Sequence, residues 1–193
     1  MVEKNQPSFF AVSSENVAEQ ISKEKPWMAK FDPSPHIKNS YKINDIFGYW
    51  PSFQDAEILD VRLTVAGGEP WVTGSESPIL EMTVHVFERT DNLTPEGRFV
   101  LTKHTLVRLR FGKVEGLQLS NFWYQNCISE LDIGIDPARS ARGRNSVEAP
   151  RPGLLQVNLQ SSVGLSGKFK CQSAEVVSTE PCDEAGKPVR SAG

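Results

Sequence analysis

The chain lacks most of the features that would announce a chemistry. Only three of its 193 residues are cysteine: Cys127, Cys171 and Cys182. An odd, unpatterned set excludes a disulfide scaffold and suits a reducing cytoplasm. Cys127 and Cys171 stand in partly apolar contexts and read as inert, buried thiols. No apolar run approaches the ~20 residues that cross a membrane as a helix. The N-terminus, with Glu3 and Lys4, has no continuous apolar stretch of the secretory kind, so a soluble, cytoplasmic protein is expected. The phosphate-binding patterns G-x-x-x-x-G-K-[ST] and G-x-G-x-x-G are missing, as is the G-x-S-x-G elbow. No nucleophile and base stand at a recognised spacing, and the expectation is no catalytic residues and no cofactor.

Histidine is scarce too, at His36, His85 and His104. His85 and His104 fall on strands that can be neighbours, and Asp55 and Glu57 would be their nearest candidate co-ligands. The spacing follows no ligand pattern, so no metal is expected. The parity of His85, opposite to Leu80, Met82 and Val84, places it toward solvent or a second sheet.

Charge is unevenly spread around a net of −3. Residues 40–137 carry 14 acidic against 8 basic side chains, while residues 138–151 carry four arginines against Glu148. An acidic body is a poor nucleic-acid binder and suits a basic protein partner, whose opposite potential would speed encounter. Plain solubility explains the same balance. Arg139, Arg142 and Arg144 read as a solvated loop rather than a phosphate grip.

What is present is mainly strand. Residues 1–40 read as a lead-in with one short helix from about Ser13 to Lys25, ended by Pro26. From Ala56 the apolar period is two rather than 3.6. It runs through Leu80, Met82, Val84 and Val86, through Thr105, Val107, Leu109 and Phe111, and through Leu131, Ile133 and Ile135. It returns in Leu155, Val157 and Leu159 and again after Gly167. A phase change near Leu59 and Asp60 predicts a bulge. With no βαβ alternation, the expected class is α+β, a mainly antiparallel β-sheet with few short helices. Residues 41–178 are expected to form one β-rich domain, and residues 179–193 a disordered tail. Met82, Val84, Leu109, Ile133, Val157 and Phe169 are the expected inward positions. Arg108 and Arg110 share the opposite strand face, where pairing with Asp55 or Glu57 is expected to contribute little.

The densest stretch is Ile46–Leu63, IFGYWPSFQDAEILDVRL. Gly48 and Pro51 force a turn, and Pro51 pushes Trp50 out of the helical region. Phe47, Trp50 and Phe53 suit the cap of a core. Asp55 and Glu57, two residues apart at the mouth of a strand, share a face and need solvent or a partner. This segment resembles the signature of the immunity protein 50 family, found beside toxin genes in bacterial polymorphic toxin systems. The family's stretch runs W-P-S-F-H-D-A-E; Trp50, Pro51, Ser52, Phe53, Asp55, Ala56 and Glu57 match it. Gln54 stands where histidine is usual, and Gln neither titrates nor ligates well. Further matches follow in order: V-H-V-F-E at Val84–Glu88, K-H-T-L-V at Lys103–Val107 and L-S-G-K-F-K-C at Leu165–Cys171. The resemblance covers roughly residues 40–178.

It implies a non-enzymatic protein that binds and occludes a cognate toxin. Tyr49, Trp50, Asp55, Glu57 and Asp60 are then the expected partner-binding residues, aromatic anchors beside a charged rim. The loops 67–78 and 137–152 are the alternative interface. A different class of reading makes Tyr49, Trp50, Asp55 and Glu57 a small-ligand or enzyme pocket. The toxin's identity and activity and the oligomeric state are not legible.

Overall fold

Eight antiparallel strands carry the fold in the computed structural model, which describes residues 31–65, 78–136 and 154–189. These belong almost wholly to one unit, Asp32–Gly193. The helix expected at 13–25, the loop after Val65 and the arginine-rich segment 138–151 lie outside the described residues. The strands are β1 (Glu57–Thr64), β2 (Ile79–Leu93), β3 (Phe99–Gly112), β4 (Glu115–Ser120), β5 (Cys127–Ile135), β6 (Leu155–Val163), β7 (Ser166–Cys171) and β8 (Ser173–Pro181). Among the described residues a 3-10 turn (Ser34–His36) and a helix, α1 (Tyr41–Phe47), precede them. The expected class, α+β with a mainly antiparallel sheet, is the one observed.

The sheet order is β4-β7-β6-β5-β1-β2-β3-β8. Its two outer strands are continuations of inner ones. β4 follows β3 after two residues, and β8 follows β7 after one. The bent ribbon β3–β4 therefore pairs along its length with the bent ribbon β7–β8. At the shared corner the Gln172 amide donates to the Gly112 carbonyl at 3.0 Å. The ladder thus returns on itself, which leaves few strand edges open to unwanted pairing.

Alternation decides what fills the ring. Met82, Val84, Leu109, Ile133, Val157 and Phe169, the inward positions expected from parity, are all buried. Phe111 and Phe169 meet edge-on at 5.0 Å between ring centroids, a geometry that adds about 0.5–1.5 kcal/mol to their burial. The bulge expected near Leu59 appears as a register shift between Ile58 and Asp60. Phe99 and Leu101 share the odd numbering of the core positions Thr105 to Phe111 yet are exposed, because a bulge at left-handed Lys103, seen as the register shift between Val86 and Glu88, turns them to the other face.

The short helix α1 was not evident from the strand-like periodicity. Its apolar positions Ile43 and Phe47 are one turn apart and both are buried. Gly48 ends it at φ +86°, its amide donating to the Asn44 carbonyl at 2.7 Å. The Lys42 ammonium ties the helix to the Val177 carbonyl at 2.8 Å. Lys38 lies along the outer edge of β8, its amide donating to Ala174 and its carbonyl accepting from Val176.

Residues 179–189 differ from the loose tail expected. β8 runs to Pro181, and the Cys182 amide donates to the His104 carbonyl at 3.0 Å. A turn then folds back so that Val189 donates to Pro181. The Asp183 carboxylate accepts from the amides of Ala185 and Lys187, which holds that turn. Its polar composition reads as a tail because the side chains that fix it bond locally rather than bury.

The thinnest joint lies between β1 and β5, which pair in register only at Glu57 and Cys127. Three flanking bonds reinforce it: Asp55 amide to Ile128 carbonyl, Ile128 amide to Ala56 carbonyl, and Ile58 amide to Asn126 carbonyl. Gly164, at φ +83°, approaches this joint so closely that an added Cβ would overlap the Gln125 carbonyl and sit 2.6 Å from Asn126 Oδ1. We expect Gly164→Ala to destabilise the fold by at least about 1–3 kcal/mol from backbone strain alone, read from urea denaturation midpoints.

Candidate functional site

The signature segment splits cleanly by burial. Pro51, Phe53, Ala56 and Ile58 are buried, whereas Ser52, Gln54 and Asp55 are exposed. Phe53 and Asp55 both hold left-handed backbone, at φ 59° and 65°. Aspartate accepts that region tolerably; phenylalanine does not, at a cost on the order of 1–2 kcal/mol. Burial of the Phe53 ring and the Ala56 amide bond to the Phe53 carbonyl offset it. Two consecutive reversals therefore aim the chain into β1 and deliver the Asp55 and Ala56 backbone to β5. This accounts physically for much of the motif: it closes the β1–β5 joint. Gln54 is exposed, so its departure from histidine costs no packing.

The five expected partner-binding residues flank this turn. Tyr49 is exposed, and Trp50 is half-buried with its ring 5.6 Å from that of Phe53. Asp55 and Asp60 are exposed and Glu57 is half-buried. Glu57 and Asp55 both lie near Cys127. Burial, then Glu57, then Asp55 push that thiol above its ordinary value. Cys171 is pushed up to about 12 by burial alone. Three grooves among the described residues lie beside β4 and β7 and beside the β4–β5 loop, and none of these three is lined by Trp50, Asp55 or Glu57.

Arg108 and Arg110 do not reach the signature carboxylates in the register. Arg110 pairs across β2–β3 with Glu81 at 3.9 Å, and Arg108 stands opposite Thr83. The sheet sets two strands' width between them and β1.

The β4–β5 loop carries a feature that strand periodicity passes over. Phe122, Trp123 and Tyr124 are three consecutive aromatics, 58%, 61% and 86% exposed. The buried Asn126 holds them. Its Oδ1 accepts from the amides of Trp123 and Leu165, both at 3.0 Å, and its Nδ2 donates to the Trp123 carbonyl at 2.8 Å. The sequence signal was available: no regular period buries three aromatics in a row, so Asn-Phe-Trp-Tyr-Gln-Asn marks a presented loop.

His85 and His104 do meet, with Nε2 of the first 3.0 Å from Nδ1 of the second. His85 is buried rather than solvent-facing, because Gly186 of the terminal turn sits over it together with Leu59. Among the described residues no three His, Cys, Asp or Glu side chains converge to hold a metal ion. The pair keeps its bond with at most three ring protons, since a fourth would set two N–H groups against each other. Burial foremost, then His104, depress the His85 pKa, and Asp183 partly opposes them. The unfolded chain therefore takes up a proton near pH 6.5 that the folded chain refuses until lower pH. Stability present above pH 6.5 should fall as pH drops toward 5, and His85→Gln should flatten that slope in denaturation midpoints measured at pH 7, 6 and 5.

Comparison with known proteins bears on the same segment. A family model described as Immunity protein 50 matches residues 39–182, most of the chain. No curated protein and no solved structure gives a significant match. The match begins just before α1, includes the signature turn and the aromatic loop, and ends where the terminal turn starts. On this match, the chain belongs to the immunity protein 50 family.

Proposed function

We propose that this chain binds and neutralises a cognate toxin of a bacterial polymorphic toxin system, in the cytoplasm of the cell that makes both. The observation that carries the reading is the family match over residues 39–182. The family match favours action by stoichiometric occlusion rather than turnover. Tyr49, Trp50, Asp55, Glu57 and Asp60 form the first candidate contact area. Their exposure, graded from Glu57 and Trp50 to Asp55, suits a rim that a partner covers.

The acidic excess of residues 40–137 favours a basic partner. The test is co-expression with the protein encoded beside this gene, followed by native mass spectrometry. Rescue of growth together with a complex of fixed stoichiometry supports the reading; neither rescue nor complex refutes it. For that complex, the association rate should fall several-fold between about 50 and 500 mM salt, because the screening length shortens from above about 10 Å to well below about 8 Å. The dissociation rate should change much less. Stopped-flow binding reads both.

A further inference from the structure

The aromatics Phe122, Trp123 and Tyr124 are held in place yet largely exposed. Their loop is fixed at both ends by Asn126, whose side chain is buried and whose carbonyl is bonded to Ile58 of β1. Trp123 and Tyr124 contact each other, with centroids 5.8 Å apart. Three large aromatic side chains exposed together are costly for a protein that leaves them in water, and such patches mark interaction surfaces. A groove of about 350 Å³ opens beside them, lined by Val61, Leu119, Ser120, Asn121, Phe122 and Leu165. Val61, opposite Met82, packs partly against the core, and the edge of β1 away from β2 has no ladder partner at this end, beyond Ile58, among the described residues.

Acidic side chains prevail in the described segments beside the patch, and Lys168, opposite Gln118, is the basic residue on its β4–β7 side. The three segments that frame it, residues 49–60, 120–130 and 160–166, contain Asp55, Glu57, Asp60 and Glu130 and no lysine or arginine. Arg62, the first basic residue along β1, stands opposite Glu81. Glu57 stands opposite Cys127, the residue after Asn126, and the Cys127 thiol lies 3.9 Å from the Asp55 carbonyl, which sets both residues beside the end of the aromatic loop.

We propose that Phe122, Trp123 and Tyr124, with the groove beside them, are the apolar anchor of a docking surface rimmed by Asp55, Glu57 and Asp60, and that its occupant is a cationic segment of the toxin. The assignment rests on the toxin-binding reading above and moves the energetic centre from the signature turn to the loop it braces. Rigid aromatics lose little conformational freedom on binding, so they hold a complex together. The carboxylates draw the partner in. The two halves thus act on different rate constants.

The probe is the protein encoded beside this gene, titrated against the full chain and two variants. Trp123→Ala/Tyr124→Ala removes the anchor. Asp55→Asn/Glu57→Gln/Asp60→Asn removes the rim, and asparagine at 55 tolerates the same left-handed backbone. The aromatic variant should keep the melting temperature and bind at least about 30-fold more weakly, through faster dissociation. The charge variant should mainly slow association and lose its salt dependence. Intact binding by the aromatic variant, while the wild-type chain binds, overturns this surface and leaves the toxin reading standing. Absence of wild-type binding overturns both. A lowered melting temperature in the aromatic variant would make the trio part of the chain's own packing. Self-association that the variant abolishes in sedimentation would give the surface to a second copy. Either result also overturns the assignment.

Discussion

The joint between β1 and β5 is the constraint on which the rest of the ring depends. Every other neighbouring pair shares a ladder of several residues, whereas this one has a single register pair and three flanking backbone bonds. At about 0.5–1.5 kcal/mol net for each bond, hydrogen bonding alone would hold it weakly. Burial does more: Ala56, Ile58 and Ile128 are each at most 1% exposed there. The backbone cost of Phe53 and Asp55 is accepted because only two reversals in quick succession bring residues 55–58 alongside residues 126–128. The family signature is thus explained first as a closure and only second as a surface.

Closure and surface are nevertheless coupled. Asn126 lends its carbonyl to the joint and its side chain to the aromatic loop and the β6–β7 turn. At Gly164 an added Cβ would run into the Gln125 carbonyl first and then into Asn126. A partner bound at the loop would therefore press on the same hub that fastens the ring. On the outer face of β2 and β3, the His85–His104 pair is capped by the terminal turn. That makes the C-terminal end of the described chain part of the fold rather than an appendage.

Much of this was legible in the sequence. A period of two, with its phase slip at Leu59, gave away the strands, the bulge and the inward residues, because burial on one face writes itself directly into alternation. The chemistry of Gly48 and Pro51 marked the turn. What stayed hidden depends on partners distant in the chain. Ring closure requires knowing that β3–β4 pairs with β7–β8, some 60 residues away. Burial of His85 requires Gly186, and the role of Asn126 requires Leu165. The helix Tyr41–Phe47 is only two turns long, too short for a clear 3.6-residue period. Of the proposed contact residues, the carboxylates stood out as charge beside a strand. Phe122, Trp123 and Tyr124 did not, since aromatics usually signal core.

Amide hydrogen exchange across the joint tests the central claim most directly. If closure between β1 and β5 fastens the ring, the amides of Ile58 and Ile128 should exchange only as slowly as the β2–β3 core, through global opening. Exchange at these two amides through a low-energy local opening, with the β2–β3 core still protected, would contradict it. The signature turn would then be an attachment to an already complete sheet.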